Sequence, residues 1–128
     1  MLPSAEMRET IVYCLTRDRD LAAALEERLL GAIVFYYNDA ARLHQAVVLR
    51  PPDVAMVDTG AIREEYGDAG LGPVVGFLRQ RAPQARIAVR PTAGAEQLVA
   101  AEAGSGVQLL PAGRAESVDG VAELCGCG

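Results

Sequence analysis

Uninterrupted apolar runs alternate along the chain with stretches in which apolar positions recur every three or four residues, the period of strand followed by helix. Thr10 to Leu15 (TIVYCL) is short, β-branched and aromatic, which predicts a strand buried on both faces. Asp18 or Asp20 can cap a helix that puts Leu21, Leu25 and Leu29 on one side, and Gly31 supplies its stop. Ala32 to Tyr37 (AIVFYY) predicts a second strand. Asn38 or Asp39 then opens a helix carrying Leu43, Ala46 and Val47, which Arg50-Pro51-Pro52 must end because proline lacks an N–H and disfavours helix in the residue before it. Val54 to Val57 (VAMV) is the third strand, ending at Asp58, and Thr59 to Gly70 reads as a long loop. Leu71 to Arg81 follows as a helix, Arg86 to Val89 as a strand, Ala95 to Ala103 as a helix, Val107 to Leu110 as a strand and Ala115 to Leu124 as a weak last helix.

Strands alternating with helices predict an α/β fold: a doubly wound parallel sheet, covered on both faces because right-handed crossovers return each helix to the sheet. One domain over residues 1–128 is expected, since a chain of 128 residues with 51% hydrophobic content fills one core and not two. In such sheets the chemistry lies at the carboxyl ends of the strands. The positions to interrogate are Thr16, Arg17 and Asp18; Asn38 and Asp39; Asp58 and Thr59; Arg90, Pro91 and Thr92; and Pro111.

Composition narrows the function. The formal net charge of −5 and the lack of any basic run argue against a nucleic-acid surface. No apolar stretch reaches the ~20 residues of a spanning helix, and no basic-then-apolar export signal opens the chain, so no membrane association and a cytoplasmic location are expected. Cys14 sits in the first strand as a buried structural thiol, and Cys125 and Cys127 supply two soft ligands where a closed zinc site needs about four. His44 stands alone without a nucleophile and reads as a helix-surface residue. One absence matters more: all 12 basic residues are Arg, and there is no Lys.

From Gly31 to Asp58 the chain resembles, without a gap, the receiver domain of bacterial response regulators. The telling residues are Gly31, then Arg50-Pro51-Pro52-Asp53, then VAMV ending at Asp58. Thr92-Ala93, Glu102-Ala103-Gly104 and Pro111 extend the resemblance over most of the chain. It implies a flavodoxin-like sheet of strand order 2-1-3-4-5, with Asp58 at the position that accepts a phosphoryl group from a histidine kinase.

The chemistry around that position departs from the family. Receivers hold Mg²⁺ with an acidic pair after the first strand, and Thr16 and Arg17 stand there, although Asp18 or Asp20 can reach in if the register slips. Receivers also place a Lys before the fifth-strand proline to stabilise the phosphoryl group, and Leu110 stands there. No realignment can supply that Lys. The reading is therefore a non-catalytic or atypical receiver-like signalling module that binds a protein partner or a second copy of itself, with no catalytic residue and no cofactor.

Arg17 or Arg90 is expected to pair with Asp58 where a receiver holds its metal, and a homodimer or partner contact is expected through the helix at Ala95 to Ala103, the fifth strand and the last helix. Two alternatives stay open. An active two-component response regulator would be phosphorylated on Asp58 by a histidine kinase, with Mg²⁺ on Asp18 and Asp58. A small flavodoxin-like ligand-binding domain would need a phosphate cradle that Thr16-Arg17-Asp18-Arg19 does not provide.

Overall fold

The computed structural model describes residues 10–66, 70–91 and 106–126. Along the chain run β1 (Thr10–Leu15), α1 (Arg19–Arg28), β2 (Ala32–Tyr37), α2 (Ala40–Leu49), β3 (Val54–Asp58), α3 (Thr59–Tyr66), α4 (Leu71–Arg81), β4 (Arg86–Arg90), β5 (Gln108–Leu109) and α5 (Arg114–Cys125). All neighbouring strands pair in parallel in a five-stranded sheet of order β2-β1-β3-β4-β5, the doubly wound order that the sequence predicts.

The apolar runs are continuous because the central strands are covered twice. Ile11, Tyr13 and Leu15 of β1 join Val57 and Val89 beneath α2 and α4, where Leu43, Val47, Val74 and Leu78 close the layer. The alternate residues Val12, Cys14 and Met56 face α1 and α5 and meet Leu21, Leu25, Val118 and Val121. Each helix thus buries one stripe, and β3 is buried at every position. At the opposite end of the sheet Asp53 fixes register: its Oδ2 accepts the Ile11 N–H at 2.8 Å, while its backbone bonds to Ile11 and Arg86 on either side.

Three expectations need correction. The segment after β3 opens as helix α3 rather than a loop. Asp58 Oδ1 accepts the Gly60 N–H at 3.2 Å, and Ala61 and Ile62 are 2% and 1% exposed against the core, so a short helix is anchored at its first turns. So short an apolar face is too brief to register as a period. His44 is half-buried rather than on the surface, stacked on Phe77 of α4 with ring centroids 4.0 Å apart. β5 is also shorter than expected, although the Leu110 N–H still donates to the Val89 carbonyl at 2.8 Å. The helix expected at Ala95 to Ala103, and Thr92, lie outside the described residues.

Candidate functional site

β1, β3 and β4 end side by side, with Leu15 in register with Val57 and Asp58 with Arg90. The residues that follow therefore converge on one crevice, a cavity of about 390 Å³. At its centre Asp58 is only 8% exposed, and both carboxylate oxygens are engaged. Oδ1 accepts from Gly60. Oδ2 accepts from Thr16 Oγ1 at 2.9 Å and from Arg90 Nη1 at 3.1 Å.

Arg90 ties this carboxylate to two other elements. The same Nη1 lies 3.3 Å from Asp18 Oδ2, so two carboxylates converge on one guanidinium nitrogen. From its other side Nε and Nη2 both donate to the Ala112 carbonyl, at 3.2 and 3.0 Å, in the connection between β5 and α5. Thr59 Oγ1 donates to the Arg90 carbonyl at 3.1 Å and holds the residue in place. Charge-assisted bonds of this kind, at a nearly dry position, are stronger than those at the surface.

Asp18 also caps α1, its Oδ1 accepting the Leu21 N–H at 3.1 Å, and its own N–H donates to the Thr16 hydroxyl at 3.1 Å. Partial burial pushes its carboxyl up, but the Leu21 N–H, Arg90 and Arg114 outweigh this and hold it below the ordinary value. Asp18 is therefore ionised at neutral pH.

The other expected residues lie elsewhere. Arg17 does not reach Asp58: its Nε donates to the Asn38 carbonyl at 2.9 Å and its Nη1 to the Glu64 carboxylate, at the rim of the crevice. Leu110 is 2% exposed and turned into the layer beneath α1 and α5. Sequence reasoning missed Glu64, Gly60 and the Ala112 carbonyl. Glu64 acquires its position only through α3, and backbone groups leave no mark in a sequence.

The donor set does not fit a divalent cation. The positions of the acidic pair hold a hydroxyl and a guanidinium, and both nearby carboxylates already accept from Arg90. Among the described residues no group of three or more His, Cys, Asp and Glu side chains is placed to hold a metal ion.

Neither a protein-family model nor a curated protein sequence matches the chain. Solved structures do. NtrX from Brucella abortus superposes with a TM-score of 0.71 at 15% identity, over 92% of this chain and 26% of NtrX, so this chain spans about a quarter of that protein. The signal receiver domain of an HD domain-containing protein from Pseudomonas fluorescens gives 0.70 at 11% identity, covering 91% of each chain. The fold is that of a receiver domain. A de novo designed Rossmann 2x3 protein also superposes on this receiver fold, at 0.63 and 14% identity over 94% of this chain and 92% of the design. The architecture therefore carries no chemistry of its own, and function has to be argued from the crevice. Among the described residues no helix is long and apolar enough to cross a membrane.

Proposed function

We propose that this chain is a receiver-like signalling module that acts by binding a protein partner, without Mg²⁺-dependent phosphoryl transfer. The observation that carries this reading is the single guanidinium nitrogen of Arg90, 3.1 Å from Asp58 and 3.3 Å from Asp18. A fixed cation there pairs with both carboxylates at once, offsets one of their two charges, repels Mg²⁺ and blocks the approach of a phosphodonor to Asp58. It also links the ends of β3 and β4 to the β5–α5 connection through the Ala112 carbonyl. The surface that a partner reads is thereby held in one arrangement instead of switching.

The alternative, a response regulator phosphorylated on Asp58 by a histidine kinase, draws on the same convergence of two carboxylates, because withdrawal of Arg90 would leave both facing one point. Incubation with acetyl phosphate and Mg²⁺ separates the readings by intact mass. No adduct is expected. A stable gain of one phosphoryl group on Asp58 would overturn the proposal.

A further inference from the structure

We infer that the outer edge of β2 pairs with β2 of a second copy of this chain about a twofold axis, joining two sheets into one. This surface is separate from the Asp58 crevice and does not depend on how that crevice is read.

Three observations carry the inference. First, β2 ends the sheet: its six residues pair with β1, and among the described residues no strand lies on its other side. An open edge presents unpaired N–H and C=O groups, and natural proteins guard it with charge, proline or a bulge. Ala32–Tyr37 has no charged residue and no proline, and it pairs with β1 residue for residue without a bulge.

Second, the face beside this edge is apolar and incompletely covered. Ile33 and Phe35 are 39% and 46% exposed, the other four residues of β2 are only half-buried, and Leu49 at the end of α2 is 86% exposed. These lie together. The Phe35 ring packs edge-on against Tyr13, with centroids 5.8 Å apart, and the Tyr13 hydroxyl donates to the carbonyl of Arg50, next to Leu49. Next to this wall a groove of about 580 Å³ runs between β2 and α2, where Tyr37, Ala46 and Leu49 meet the polar side chains of Asn38, Arg42 and Gln45.

Third, the edge is its own complement. The chain carries a net charge of −5, which opposes most face-to-face contacts between copies, but none of that charge lies on β2. A twofold antiparallel pairing centred near Val34 and Phe35 sets uncharged side chains opposite uncharged side chains along the whole of β2, and the open donors meet acceptors. Two strand edges alone bury far less than the ~800 Å² per partner of a standard interface. The Ile33, Phe35 and Leu49 wall of each copy adds to that area across a shared trough, so a reversible dimer is expected rather than an obligate one.

Sedimentation equilibrium of the whole chain from micromolar to millimolar concentration tests this. Native protein should associate to a dimer, and Phe35→Lys, which puts a charge at the centre of the edge, should weaken association at least tenfold while retaining the native circular dichroism spectrum. Ile33→Lys serves if Phe35→Lys does not fold. In native protein, hydrogen exchange at the alternate amides of β2 that point away from β1 should slow as concentration rises, while amides of β4 should not respond. A monomer at every concentration overturns the inference, as does a dimer that both lysine variants leave intact, which would place the contact on another face.

Discussion

Replacing Arg90 by methionine keeps most of the aliphatic stem and removes four hydrogen bonds, two to the Ala112 carbonyl and one each to Asp18 and Asp58. Asp58 then retains only Thr16 on its Oδ2. Leaving one member of a fully buried ion pair costs roughly 3–5 kcal/mol. Here the Arg90 and Asp58 side chains are 14% and 12% exposed, so some water reaches them and the expected cost falls to about 2–3 kcal/mol. The chain has no Trp, so urea unfolding is best followed by far-ultraviolet circular dichroism. With a slope of about 1–2 kcal/mol per molar for a chain of this size, the midpoint should fall by roughly 1–3 M. A double-mutant cycle with Asp58→Asn isolates the pair, and a coupling of about 1–3 kcal/mol is expected. A destabilisation below about 0.5 kcal/mol, with coupling near zero, would refute the claim that this guanidinium organises the crevice.

Three further outcomes follow from the same geometry. Thr16→Val removes a hydroxyl that donates to Asp58 and accepts from Asp18, and should cost about 1–2 kcal/mol in the same unfolding assay. Asp18 has a folded pKa below its ordinary value of 3.8, so its contribution is present above that value and is lost as the pH falls through the lower folded value. The stability difference between native protein and Asp18→Asn should therefore shrink in that acid window, and a difference constant with pH would contradict the assignment. Leu110→Lys would not restore phosphoryl chemistry, because the side chain points into the core; it should destabilise by about 2–4 kcal/mol and leave acetyl phosphate without effect.

The sheet was legible because both of its faces are covered: near-continuous apolar runs such as TIVYCL and VAMV have few alternatives, and their order follows from the alternation with helices. The bounds of β1, β2 and α4 were readable to the residue, since Arg17-Asp18-Arg19 follows β1, Gly31 and Asn38-Asp39 flank β2, and Gly70 and Pro83 flank α4. The crevice was legible in its strand-end residues, Thr16, Asp18, Asp58 and Arg90, because the fold dictates that these meet. Their pairing was not. Arg17 and Arg90 are equivalent by sequence, and the choice between them is made by Glu64, which α3 brings within reach of Arg17, and by the Ala112 carbonyl, which turns Arg90 inward. Both deciding groups depend on tertiary placement. Leu110 follows the same logic: its position relative to Pro111 could be read, but that it faces the core depends on its packing in the layer beneath α1 and α5.

The most direct test of the account is an NMR titration with Mg²⁺ that follows the backbone amides of Thr59, Gly60 and Arg90 in native protein and in Arg90→Met. With the guanidinium already between Asp18 and Asp58, native protein should show no saturable shifts through the millimolar range, and the methionine variant should acquire them. Saturation of the native protein at sub-millimolar Mg²⁺ would contradict the account.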